Sequence, residues 1–425
     1  MWRRSDEIFH TVQPHAFHEQ PISLRHPVIV YLGHLPAFAW NQICRGVLGQ
    51  PSFAPEFDEM FERGIDPTGV DHYESADRWP STAEVVEYRD RIREALLRSV
   101  GEVRALSESN VLVANDRIFE VVIEHELMHQ ETLQYMFQHL PLRAKRRPED
   151  LPPLIFHGAA DDERMPIGGG PVHLGANFDE IPFGWDNEFP RHRTSVDDFT
   201  IDRTPVRVSR YREFMDDGGY GRPELWTDDD WTWRARLEIQ RPSFWSLRDG
   251  QWCYDTLFDN VPLDDAADWP VYVSLAEARA FCRWSGARLP TEAEIHRAAY
   301  STPERYVRPF PWGHDPPSIS HGNFDFSHWA PTPVGSFPKG DSAWGVSELV
   351  GNGWEWTSSF FAPFPGFRAY IPGYPGYSSD FFDTRHFVML GASWATPAGL
   401  IRRSFRNWFQ DHYPYVFASF RCVRP

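Results

Sequence analysis

Two histidines stand four residues apart in the stretch HELMH, His125 and His129. A helix turns roughly 100° per residue, so this spacing sets both imidazoles one turn apart on one face. The stripe that carries them, Ile118, Val122, His125, His129, Leu133 and Met136, is otherwise apolar. Both rings are therefore predicted to point into a helical layer. A single histidine in such a stripe reads as packing, whereas a pair at this spacing reads as two metal ligands. A third donor stands far upstream: His34, in YLGHLPAF, lies in another strongly apolar segment, where Gly33 lets a neighbouring element come close. Ligands in helical bundles come from facing helices, so His34, His125 and His129 form a three-imidazole face with positions left open. Neutral imidazoles suit Fe(II), Zn or Ni, and ligand type alone does not choose among them.

HELMH also matches the HExxH of zinc proteases, in which the glutamate is the general base. The extended form HExxHxxGxxH fails, since Thr132 stands where glycine is needed and Tyr135 where a third histidine is needed. A downstream carboxylate such as Glu149 falls in a proline-rich stretch. Proteolysis is the weaker reading. Glu131, two residues past His129, has two open readings: a group that orients a ligand imidazole, or a solvated charge.

The elements that must position these residues are helices. The segment from about 115 to 139 has the strongest helical period. STAEVVEYRDRIREALLRSV opens with a capping box, Ser81 to Glu84, and sets Val85, Tyr88, Ile92 and Leu96 near one face. His26 to Gly49 is mostly apolar, with Pro27 suited to a first turn and Pro36 expected to kink or interrupt the helix. A bundle of about four helices over residues 1–150 follows. Charged, proline-rich PLRAKRRPEDLPPL marks the boundary, and RAKRR within it reads as a solvated linker. Over 151–425, Gly, Pro, Trp and Asp punctuate short segments, and only SLAEARAFCRWSGARLPTEAEIHRAAYS reads as helical, two short helices turning at Gly286. The rest is expected to be a loop-rich α+β domain.

Composition narrows the class. The chain has 425 residues, enough for two cores. Its formal net charge is −18, which disfavours nucleic acid or an anionic membrane as partner. Four scattered cysteines, Cys44, Cys253, Cys282 and Cys422, form no CxxC pair and read as reduced thiols in a cytoplasmic protein. The start has no apolar signal region, and no apolar run approaches the ~20 residues of a membrane span. Aromatic residues reach 15%, with 18 Trp, and aromatic walls suit flat or cationic ligands.

Taken together, LGH (Leu32 to His34) and HELMHQE (His125 to Glu131) resemble the HxxxHxE iron site of the DinB-like domain in ergothioneine-biosynthesis sulfoxide synthases. FGWDNEFPRHRTSVDDFTIDRTPV, RLPTEAE, GNGWEWT, LGASW, SFRNW and FRCV, in that order, resemble the C-type-lectin-like domain shared with formylglycine-generating enzymes. The reactive cysteine pair of those enzymes is missing, because only Cys422 lies in the corresponding region.

The resemblance implies an oxygenase in which Fe(II), held by His34, His125 and His129, works with O2 on hercynine (Nα-trimethylhistidine). Sulfur of a thiol donor is joined to C2 of the imidazole and oxygenated. It further implies Trp408 beside the trimethylammonium, which donates no hydrogen bond and suits an aromatic face, and Asn407 near the carboxylate. Arg89 and Arg93, one turn apart, are either a holder for a donor carboxylate or an exposed helix face. A catalytic tyrosine would come from IPGYPGYSSDFFD, with Tyr377 preferred over Tyr374. Two departures stand out. Met128 replaces a glutamine common in relatives, and Phe409 follows Asn407-Trp408 where the γ-glutamylcysteine-using form carries aspartate. Cysteine is therefore one alternative donor, and a selenosugar, as in the similar selenoneine synthases, is another.

Overall fold

The computed structural model describes residues 1–62, 79–106, 110–158 and 161–424. They fall into two compact units. The first comprises Met1–Glu149 together with Tyr370–Pro375, and the second comprises Asp150–Ala369 and Gly376–Pro425.

The first unit is helical: α1 (Trp2–His10), α2 (Val28–Ala39), α3 (Pro55–Glu62), α4 (Thr82–Arg104) and α5 (Arg117–Gln138). Every residue of α2 is buried, which is why its sequence shows no polar face. Pro36 does not interrupt α2. The helix continues through it and changes pitch further on, into a π-helical stretch over Trp40–Val47. The missing N–H at Pro36 costs one helical hydrogen bond without breaking the helix. Helix α4 opens on the capping box: Ser81 Oγ accepts from Glu84 N, and the Glu84 carboxylate accepts from Ser81 N at 2.8 Å. Val85, Tyr88, Ile92 and Leu96 are its buried stripe. Asn115 and Asp116, with φ of 58° and 57°, turn the chain sharply into α5. The basic RAKRR stretch is no free linker. Lys145 is buried, bridges to Val12 and donates from Nζ to the Gln138 carbonyl at 3.2 Å.

The second unit is α+β. A ladder centres on His386–Ala392, antiparallel to both Gly353–Phe360 and Asn407–Gln410, and Ala418–Ser419 adds parallel to Gly353–Phe360. A second sheet pairs Phe199–Asp202 with Arg164–Ile167 and with the late strand Val423–Arg424. Its core gathers Ile167, Phe199, Ile201, Ile295, Val388 and Leu390. The two helices read around Gly286 form as α8 (Leu275–Trp284) and α9 (Glu292–Tyr300), and Gly286 takes φ +66° between them. Two further helices, α6 (Val208–Asp216) and α7 (Asp228–Arg236), escaped the sequence reading because their apolar periods are short. The Thr227 cap and three leading aspartates were the available signal for α7. No helix among the described residues is long and apolar enough to cross a membrane.

Candidate metal centre

Helix α2 supplies His34, and α5 supplies His125 and His129. All three are buried, and one nitrogen from each lies within 4.8 Å of the others. The rings stand 5.1 Å (His34–His125), 5.0 Å (His34–His129) and 4.5 Å (His125–His129) apart between centroids.

The orientation of His34 follows from its neighbours. Gly33 lacks the side chain that would collide with the Phe61 ring, since a Cβ there would fall 2.5 Å from it. Helix α3 therefore packs directly against α2, and the Phe61 carbonyl comes to 2.8 Å from His34 Nδ1. A carbonyl only accepts, so Nδ1 carries the proton and Nε2 keeps its lone pair. Among the described residues, His34 Nε2 is buried with no hydrogen-bond partner, and so is His129 Nδ1. Buried polar atoms without partners are costly, and a shared cation would satisfy the lone pair of His34 Nε2. Phe38, one turn past His34, stacks flat on His125 at 3.5 Å and 7°, fixing that ring. Tyr31 lies 6.0 Å from His129.

Electrostatics agree with this arrangement. Burial, partly offset by the Phe61 hydrogen bond, lowers His34 to about 4. His125 and His129 fall well below the usual imidazole range, first through burial and then through neighbouring imidazoles. All three are neutral near pH 7, the protonation state a metal requires. The set fits a divalent transition metal with nitrogen preference.

The protease base is elsewhere. Glu126 is buried and accepts from Ser5 Oγ of α1 at 2.6 Å. Glu131 is buried too, so a solvated charge is not its role. Of the two tyrosines in IPGYPGY, the one beside the histidines is Tyr374, carried by the segment Tyr370–Pro375. Its ring lies 6.4 Å from His125 and 5.5 Å from Phe38. Gln42 Nε2 holds that segment by donating to the Gly373 carbonyl at 2.9 Å. Arg89 and Arg93 do meet on α4, but both engage Asp6 of α1.

In the second unit Tyr377 and Trp408 come together, with ring centroids at 5.3 Å and 79°. Trp185 stacks on Tyr377 at 4.0 Å, and Phe361 stacks on Trp408 at 4.0 Å. Asn407 Oδ1 accepts from the Trp408 backbone N–H at 2.8 Å. Within the motif FGWDNEFP, Asp186 and Asn187 tie the Tyr377 loop down. Asp186 Oδ1 accepts from Ser378 Oγ, and Asn187 Nδ2 donates to that same hydroxyl at 3.1 Å. A second group of close donors, Asp230, Asp411 and His412, is already engaged by Arg279, which reaches Asp230 at 3.4 Å and Asp411 at 3.0 Å, while His412 Nε2 lies 2.9 Å from Asp230 Oδ1. It reads as an ion-pair cluster.

Comparisons with known proteins match both halves. Residues 1–133 match the DinB superfamily, and residues 157–425 match the sulfatase-modifying factor enzyme 1-like domain. A hercynine oxygenase of Mycolicibacterium smegmatis is 37% identical over 318 residues, covering 72% of this chain and 71% of that protein. The hercynine oxygenase of Mycobacterium tuberculosis is 36% identical, covering 72% and 71%. Ergothioneine biosynthesis protein 1 of Neurospora crassa is 30% identical over all of this chain and 57% of its own length.

Proposed function

We propose, because this chain belongs to the hercynine oxygenase family, that it is a cytoplasmic Fe(II)- and O2-dependent enzyme of ergothioneine-type biosynthesis. In this reading a donor thiol is joined to C2 of the hercynine imidazole and leaves as a sulfoxide. The C2–H and S–H bonds break, one oxygen atom of O2 goes to sulfur, and the other leaves as water. The observation that carries the reading is the convergence of His34, His125 and His129 with two buried nitrogens left without partners.

In this proposal His34, His125 and His129 hold the iron. Bound ferrous iron supplies the one-electron steps that spin-paired organic molecules lack toward O2. The protein's own residues do the rest. The carbonyl of Phe61 and the ring of Phe38 hold two of the imidazoles in place, so little reorganisation is needed when the ligands are used. Tyr374, by its place beside His125, is the proton donor we favour over Tyr377. Trp408 is assigned to the trimethylammonium and Asn407 to the carboxylate of hercynine.

A second reading keeps hercynine and replaces the thiol by a selenosugar, forming a carbon–selenium bond. Phe409, standing where the γ-glutamylcysteine-using form carries aspartate, favours it. The deciding experiment loads the chain with iron without oxygen, then adds O2, hercynine and, separately, cysteine, γ-glutamylcysteine or a selenosugar. Mass spectrometry should show hercynine consumed and one chalcogen adduct formed. Hercynine left intact with every donor would sink both readings.

A further inference from the structure

We infer that Gln42 is a positioning residue: its hydrogen bond to the Gly373 carbonyl sets the phenol of Tyr374 beside the three histidines. The inference rests on the oxygenase reading, in which Tyr374 is the proton donor, and adds the residue through which that phenol is placed.

A single helical run carries the parts. His34, Phe38 and Gln42 follow one another at four-residue steps, the first two in α2 and the third in the π-helical stretch that continues it. Four residues overshoot an α-helical turn by about 40°. The wider π-helical turns that begin at Trp40 take back part of that drift. The run thus presents, in order, an imidazole, an aromatic ring and an amide. Phe38 stacks on His125 and meets the Tyr374 ring edge-on, at 5.5 Å and 71°. One turn further, Gln42 is buried, and its Nε2 donates to the Gly373 carbonyl at 2.9 Å.

That carbonyl acts directly on Tyr374, because the Gly373 C=O and the Tyr374 N–H belong to one planar peptide unit. Gln42 holds the oxygen of this unit, and the Ile371 carbonyl holds its N–H at 3.0 Å. Ile371 is itself buried. Proline on either side limits the slack. Pro372 fixes its own φ, and Pro375 disfavours helical backbone at Tyr374. Gly373 is what lets the amide come close: a Cβ there would run into the Gln42 side chain, 2.9 Å from its Cδ. With the peptide pinned at both ends, the phenol has only its own side-chain torsions to search, and little freedom is lost when it must act.

Hydrogen-exchange mass spectrometry of the full chain reads the tether without turnover. Gln42→Ala should speed exchange of the Tyr374 amide by about fivefold or more, the scale of one lost hydrogen bond, and leave peptides of α5 unchanged. Gly373→Ala should do the same, since Gly373 has no left-handed backbone and the added methyl displaces the Gln42 amide. Unchanged exchange at Tyr374 in both variants overturns the inference. The second readout is turnover of the iron-loaded chain at pH 8 with hercynine and whichever of cysteine, γ-glutamylcysteine or selenosugar it accepts. Gln42→Ala should lower kcat by about tenfold or more, with KM for hercynine kept within about twofold. Gln42→Glu fills the same space but, ionised, has no hydrogen to donate, so it should fall with Gln42→Ala. A Gln42→Glu chain at wild-type kcat would reduce Gln42 to packing and overturn the inference. In a Tyr374→Phe background, Gln42→Ala should cost no more than about twofold, because it acts through the missing phenol; losses that multiply count against it. Absence of product with every donor sinks the oxygenase reading, and the exchange rates then decide on Gln42 by themselves.

Discussion

Tyr374 meets His125 nearly perpendicular, ring centroids 6.4 Å apart at 77°, although 249 positions separate them in the chain. In the proposed oxygenase, a phenol so placed beside His125 would deliver a proton where oxygen is reduced. Tyr374→Phe should lower kcat by about 10²-fold or more and divert product away from the sulfoxide. Tyr377→Phe keeps the ring that stacks on Trp185 and should change kcat little. Product analysis of the two variants by mass spectrometry decides between the tyrosines, and a dead Tyr377→Phe beside an active Tyr374→Phe would reverse the assignment.

His129→Ala removes one of three donors from a buried, otherwise apolar face. Iron content should fall from near stoichiometric to a small fraction, with circular dichroism still reporting folded helix. His34→Ala should do the same, since His34 Nε2 has no other partner. Full iron occupancy in either variant would remove that histidine from the ligand set.

Glu126 separates protease from oxygenase. Its carboxylate bonds to Ser5 in the layer between α1 and α5. Glu126→Gln keeps the shape and should retain most oxygenase turnover, at a cost of about 1–3 kcal/mol in stability. A folded, metal-loaded variant with no turnover would return Glu126 to the chemistry.

Trp408 packs between Phe361 and Tyr377. Its removal should weaken hercynine binding more than histidine binding by roughly tenfold, the scale of one cation–π contact. The ratio of the two affinities is the readout, because a general loosening of this aromatic cluster would weaken both equally.

Glu348 offers a pH test of the fold. Burial lifts its carboxyl to about 8, outweighing the Asn352 and Arg421 interactions that lower it. The folded value lies above the unfolded one, so the proton is held more tightly in the native state. Stability from this group is complete below about pH 4.5 and is lost as pH rises through about 8. Glu348→Gln should flatten that decline and raise the melting temperature at pH 8 relative to wild type, with little change at pH 5. An unaltered pH profile would show that the carboxyl does not titrate in this window.

Local order was enough to read several of these features in advance. The His125–His129 spacing places two rings on one face whatever else the chain does, because helix pitch is set by the backbone. The Ser81–Glu84 box closes within four residues and depends on nothing distant. Gly33 signalled a close neighbour, and Gly286 a turn, because each reflects a backbone demand that only glycine meets cheaply. Pairwise affairs across the chain were not readable in that way. Nothing near Arg89 and Arg93 announced that Asp6 would fill them, and nothing near His34 announced the Phe61 carbonyl that sets its tautomer. Tyr374 and Tyr377 are three residues apart and chemically identical, and only packing sends one to His125 and the other to Trp185. What the sequence alone determined was residue type and short-range phase, since these follow from covalent geometry. Tertiary structure decided which charges are already paired and which phenol meets the histidines, because those outcomes depend on contacts between segments whose separation along the chain carries no information about their distance in space.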